Sequence, residues 1–264
     1  MHHIFVNENI VDLANKSISL SIENDGETFN HLVKSLRIKE KEKVLCSIVP
    51  FTTSFDYLCE VSDVDDDKIM LTILEKTESR ELPVSINLYQ GISKADKLEF
   101  IVEKAVELGV NSITPLATEY CIAKIDDKKS DKKIDRFNKI AKSAAEQSKR
   151  HIIPEVKEPM NYDDLMKLLK DNANKGDALY NLLFYENASE ISETKRIISE
   201  MKQKVLSGTS VKINVIIGPE GGFSEKEIEM ARNSGLYILS LGDRILRTET
   251  AAVTALSILM YEIS

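Results

Sequence analysis

The chain has 264 residues, 42% of them apolar and 30% charged, with a formal net charge of -8, a globular composition that allows one large domain or two modest ones. No run approaches the roughly 20 apolar residues of a membrane span, and the opening MHHIFVNEN carries no basic-then-apolar leader pattern, so the expectation is a cytoplasmic protein with no membrane partner. Cys46, Cys59 and Cys121 are widely spaced, form no CxxC pair and have no histidine cluster beside them, which argues for buried thiols and against a metal site or a disulfide framework.

Residues 1 to 74 read mostly as strand. SISLSI, Ser17 to Ile22, alternates strictly, and KVLCSIV, YLCEV and KIMLTIL follow at short intervals, a spacing that predicts a small antiparallel barrel. One helix interrupts it, with Phe29, Leu32, Val33 and Leu36 at helical spacing. EKTESRELP, residues 75 to 83, is polar, aperiodic and ends in proline, as a linker does. From residue 84 to 264 the pattern changes. VSINLYQ, SITPL, DALYNLLFYEN, VKINVIIG and LYILSLG alternate with helical stretches, one of them expected from about Lys132 to Lys149. Alternating strand and helix predicts an α/β domain with a parallel sheet covered on both faces, where ligands bind beyond the carboxyl ends of the strands.

Three of those strand ends carry unusual loops. VIIGPEGGFSEKEI runs from a buried strand through Gly218, Gly221 and Gly222 into a helix announced by the S-x-x-E capping box at Ser224 to Glu227. Its glycine spacing matches neither common nucleotide loop, no lysine follows, and Glu220 would repel a polyphosphate. A ligand with hydroxyls or amines fits better; the competing reading is a tight turn with no ligand. LSLGDRILRTETAAVTAL places Gly242, Arg244, Arg247 and Glu249 before a helix that is apolar almost all round. Helix capping and salt bridging are the plainer role for those charges, a second ligand loop the functional one. LLFYEN adds Glu186 just past a third apolar run. Residues 126 to 150 hold nine Lys or Arg against five Asp or Glu on an otherwise acidic chain. Such a face is either merely solvated or a phosphate-binding surface.

IGPEGGFSEKE followed by LGDRILRTETAAVTAL resembles the C-terminal signature of the RsmE family, ribosomal RNA small subunit methyltransferases of the SPOUT class. KLEFIVEKAVELGVNSITPL, AAEQSKRHIIPEV and HLVKSLRIKEKEKV are similar to further family segments, so the resemblance spans most of the chain. It departs at His2-His3, where arginine is common, at Val106, where threonine is common, and at Lys149, where arginine is common. The resemblance implies a PUA-like RNA-binding β-barrel over residues 1 to 74 and a trefoil-knotted SPOUT methyltransferase domain over residues 84 to 264. It implies transfer of a methyl group from S-adenosylmethionine to N3 of a uridine in 16S ribosomal RNA, by a homodimer acting on the RNA or the assembled small subunit. The implied cofactor residues are Glu186, Ile217, Gly218, Glu220, Gly221, Gly222, Leu239, Leu241, Gly242, Ile245 and Leu246. Arg247 and Glu249 are the catalytic candidates: a cation to stabilise the uracil anion, with an orienting partner or proton acceptor. Arg37, Lys94, Lys149 and Arg150 are the candidates for RNA backbone contacts. The rival functions are a knotted methyltransferase acting on another RNA base and a catalytically silent RNA-binding homologue.

Overall fold

The computed structural model describes residues 1–50, 55–121, 127–172, 178–188 and 190–264. It separates into two compact units, Met1–Glu81 with Ala145–Ile152, and Leu82–Ala144 with Ile153–Ser264.

The first unit is built on strands β1 (His2–Asn7), β2 (Val11–Asp12), β3 (Ser17–Ser21), β4 (Lys43–Val49), β5 (Phe55–Val64) and β6 (Lys68–Glu78). They form one sheet in the order β1-β4-β5-β6-β3-β2. The expected antiparallel pairing holds except at one edge, where β1 runs parallel to β4. The reason is length: residues 8–42 separate the two strands, enough chain for a crossover that a tight hairpin does not allow. Helix α1 (Ile22–Asn30) starts at a capping box between Ser21 and Asn24, kinks at Asp25 and runs on into a π turn at His31–Ser35. It buries Phe29 and Leu32 on Ile4, Ile18, Leu20, Val44, Ile69 and Leu71. The alternation of SISLS puts Ile18 and Leu20 inward, as strand periodicity requires.

The linker expected over residues 75 to 83 is in part strand, because β6 continues to Glu78. Residues 145–152, expected in the second domain, belong to the first unit. Charge explains this. Arg150 is 5% exposed and grips the Glu81 carboxylate through Nε, at 3.2 Å from each oxygen, and through a terminal nitrogen. The His151 backbone donates to the same carboxylate at 2.9 Å. A buried guanidinium is costly unless it is paired, so the pair holds the segment in place.

The second unit contains β7 (Ser85–Gly91), α2 (Ala95–Glu107), β8 (Ser112–Ala117) and the start of α3 (Asp127–Ser148). β9 (Glu155–Val156), β10 (Met160–Asn161), α4 (Tyr162–Asn172), β11 (Ala178–Phe184) and α5 (Ile191–Leu206) follow. β12 (Val211–Ile217), α6 (Glu225–Asn233), β13 (Tyr237–Leu239) and α7 (Thr248–Ile263) complete it. The sheet order is β10-β8-β7-β12-β11-β13, with β9 also pairing with β8, and every pairing is parallel. This is the expected α/β sheet, with two short strands, β9 and β10, that periodicity did not suggest. Its middle is almost wholly apolar, yet one polar line crosses it. Ser112 donates to Asn87, Asn87 to Asn214 and Asn214 to Asn181, at 2.8, 3.1 and 2.8 Å. These residues are direct cross-strand partners, so a slip of one residue would strand several amides in the core. Among the described residues, no helix is long and apolar enough to cross a membrane.

Candidate functional site

The three strand-end loops meet. β11 ends before Glu186, β12 before Gly218 and β13 before Ser240–Gly242, and between them lies a cleft of about 440 Å³. Of the expected ligand residues, Glu186, Ile217, Gly218, Glu220, Gly221, Gly222, Leu241, Gly242, Ile245 and Leu246 line it, as does Arg247. Two expected residues do not. Leu239 is a 1%-exposed strand residue whose carbonyl accepts from the Tyr185 amide at 3.0 Å, so its side chain belongs to the interior. Glu249 sits in the first turn of α7, outside the lining, and reaches the cleft only through another residue.

Close backbone approach shapes the loop after β12. A side chain at Gly91, the last residue of β7, would fall on the Pro219 nitrogen, so the two strand ends touch only because Gly91 has none. Gly222 has φ +69°, and a Cβ there would lie 2.8 Å from Glu186 Oε1. The capping box that ends the loop forms as expected: Ser224 Oγ accepts from the Glu227 amide, and Glu227 accepts from the Ser224 amide. The other Glu227 oxygen takes the Glu119 amide at 2.9 Å, which ties the end of β8 to the same turn. Thr248, the first residue of α7, donates from Oγ1 to the Gly218 carbonyl at 2.6 Å and accepts from buried Gln90 at 2.8 Å. The start of the last helix is thereby bonded to the ends of two central strands.

The residue that sequence reasoning missed is Lys97, in the first turn of α2. It lines the cleft, with Nζ 3.2 Å from Glu220 Oε1 and 3.4 Å from Glu249 Oε2. The Glu220 carboxylate beside it, and Glu249 after that, hold the ammonium above the ordinary lysine range. Burial works against the Glu220 charge, but bonds from its own amide, from Lys97 and from the Lys94 amide outweigh it and hold the carboxyl below the usual range. Lys97 is therefore a cation between two anions, a trio of net charge -1. A signal was present: the ISKADK stretch follows a strand end in a parallel sheet, where ligand residues gather. Arg244 and Arg247, at the mouth, are exposed and have no ion-pair partner among the described residues. Ile245 between them is 85% exposed. Chemically the cleft offers hydroxyl and amine partners, an acidic trio suited to a positive centre and two unpaired guanidiniums at its rim.

The four candidate RNA contacts are divided between the two units. Lys94 is exposed at the N-cap of α2, in the unit that holds the cleft. Arg37 is exposed and Lys149 half-buried, both in the first unit. Arg150 is the correction: its guanidinium is buried on Glu81 and is not presented to a phosphate.

Comparison with known proteins follows the same line. An RNA methyltransferase domain family matches residues 80–260. A ribosomal RNA small subunit methyltransferase E from Bacillus subtilis is 36% identical over 241 residues, covering 90% of this chain and 88% of that protein. A putative methyltransferase from Legionella pneumophila, solved in complex with the bound cofactor SAM, is 31% identical with TM-score 0.76, covering 98% of this chain and 96% of that one. A ribosomal RNA small subunit methyltransferase E from Neisseria gonorrhoeae, bound to S-adenosyl methionine, is 25% identical with TM-score 0.78, covering 99% and 97%.

Proposed function

The chain belongs to the ribosomal RNA small subunit methyltransferase E family, and from that premise we propose that it methylates N3 of a uridine in small-subunit ribosomal RNA with S-adenosylmethionine as donor. The observation that carries the reading is the convergence of three strand-end loops on one cleft with an acidic trio in its wall. The residues fit such a donor. The cleft wall is glycine-rich where backbone must come close, and Ile217, Leu241 and Leu246 supply apolar surface for a nucleoside. The trio's net negative charge complements a sulfonium and disfavours a phosphate. Bound S-adenosylmethionine would supply a methyl group already activated by its positive sulfur. The protein then has to position the uracil and ease loss of the N3 proton. Arg247, at the cleft mouth and with no ion-pair partner among the described residues, would stabilise the charge that grows on the uracil carbonyls. Glu249 lies behind Lys97, which favours an orienting role over that of the proton acceptor. N3 is on the pairing edge, so the target base must be unpaired or splayed out.

Three further features belong to this reading. The first unit acts as the PUA-like RNA-binding barrel, with Arg37 and Lys149 as its phosphate contacts, and Lys94 is the candidate contact of the second unit. The last helix closes the trefoil knot of a SPOUT domain, a reading supported by the bonds of Thr248 to Gly218 and Gln90. The molecule works as a cytoplasmic homodimer, for which the half-exposed Val253, Ile258 and Met260 and the 79%-exposed Tyr261 of α7 offer an apolar face.

The test is mass spectrometry of nucleosides from small-subunit ribosomal RNA of cells with and without this protein. Loss of 3-methyluridine on deletion is expected. Loss of a different methylated nucleoside instead would point to another base, and an unchanged profile would leave a silent homologue.

A further inference from the structure

Lys97 touches an acidic residue of the loop after β12 and another of the first turn of α7. Glu220 lies in the loop after β12, and Glu249 lies in the first turn of α7, one residue after Thr248 and two after Arg247. Lys97 itself rises from the first turn of α2. One ammonium thus joins three elements at the cleft wall. The bonds from Thr248 to Gly218 and Gln90 fix the start of α7 at the strand ends, and its buried face, Ala252, Ala255, Leu256, Leu259 and Ile263, packs the rest of its length. The ion pair to Glu249, at 3.4 Å and without a hydrogen bond to Glu249 Oε2, adds a charged contact at the first turn of the helix.

Electrostatics makes the arrangement more than a brace. Both carboxylates lie within 3.4 Å of the same nitrogen, so without it they would face each other across a partly exposed wall. Two like charges left without that cation repel each other and would move apart. The pairs keep 19–26% side-chain exposure, so their worth lies in geometry more than in stability.

We propose that Lys97 is a positioning residue for methyl transfer: it holds Glu249 and Glu220 together and thereby sets the first turn of α7, and the Arg247 before it, against the cleft. This rests on the methyltransferase reading above. The residue acts through Glu249 and Arg247.

The experiment compares the full-length protein with K97M, K97R, E249Q and K97M/E249Q, using S-adenosylmethionine and small-subunit RNA. Calorimetry with S-adenosylmethionine alone is the readout independent of turnover. K97M is expected to bind the cofactor within about threefold of the unaltered chain while kcat falls about 10- to 100-fold, the loss that follows misplacement of a reacting group. K97R, which keeps a cation between the carboxylates, is expected to recover kcat to within about threefold. The double variant is expected to be no slower than the slower single one within about twofold, since both changes break one unit. Unchanged kcat in K97M, multiplying losses in the double variant, or K97R as slow as K97M would overturn the assignment. An unaltered chain that neither binds the cofactor nor methylates RNA would overturn the methyltransferase reading itself, and the role of Lys97 with it.

Discussion

His151 Nδ1 lies 2.6 Å from Asp56 Oδ1, with both side chains at most 5% exposed, and the same oxygen of Asp56 accepts a short bond from Ser47. Ser47 in turn meets His3 Nε2 at 2.8 Å, so a buried polar chain runs from β1 through β4 and β5 to the 145–152 segment. Its sequence positions are scattered, and nothing in the local pattern announces it.

The chain makes stability depend on pH. Burial pushes the His3 imidazole below its ordinary value of 6.5, outweighing the opposing pull of Asp56 and of the Ala145 and Glu146 backbone, with His151 adding to the lowering. Above that value His3 is neutral in the folded and unfolded chain alike. Below it the unfolded chain binds the proton first, so stability falls as pH drops from about 6.5 towards the lower folded value, by up to about 1.4 kcal/mol per pH unit for one proton. Thermal melts from pH 8 to 5 should show the decline beginning below pH 7, and His3→Gln should flatten it. A melt that is level across that range would be inconsistent with a buried neutral His3.

Asp56 is the acceptor on which the chain depends. Asp56→Ala leaves Ser47 and His151 buried without their partner and should cost about 3–5 kcal/mol, read by urea denaturation. A cost under about 1 kcal/mol would mean that the network is dispensable.

Arg247→Ala removes an exposed cation that has no ion-pair partner among the described residues and should leave fold and cofactor binding intact. Methylation of RNA should drop by about 100-fold or more, the usual size of a lost charge-stabilising donor. Unchanged turnover would remove Arg247 from the mechanism.

Gly91→Ala places a side-chain methyl group on the backbone nitrogen of Pro219, and the loop after β12 must shift to admit it. Cofactor affinity should fall by at least about tenfold, with a stability loss of about 1–3 kcal/mol from overpacking. Calorimetry and a melt on the same sample separate the two effects.

Lys94→Ala and Arg150→Met should behave oppositely. The first removes an exposed charge and should weaken RNA binding while lowering the slope of log K against log salt by about 0.7–0.9. The second breaks a buried pair with Glu81 and should lower stability with the salt slope unchanged. A reduced slope in Arg150→Met would restore that residue to the RNA contacts.

Much of the α/β unit was readable from sequence because its signals are local. Alternation in SISLS reports which face is buried, and the Ser224 to Glu227 spacing reports a helix start, since both interactions close within one turn or one pleat. The clustering of glycine and charge after three apolar runs also located the cleft, because a parallel sheet brings its strand ends to one edge whatever their order. Its family motifs did the rest.

Other features depend on partners distant in the chain. Lys97, Glu220 and Glu249 come together only once α2, β12 and α7 pack side by side. Arg150 reads as one more cation of a basic stretch until Glu81 is placed beside it, and Leu239 reads as a cofactor contact until the pairing of β13 with β11 turns its side chain into the interior. Composition and spacing determined that this protein has a parallel α/β unit with a glycine-rich ligand cleft at its strand ends, because those traits follow from short-range geometry. Which charges are buried, which are paired and which remain free to act was decided by the tertiary structure, because a charge's role depends on the dielectric and the counter-charge around it, and both are supplied by residues far away in sequence.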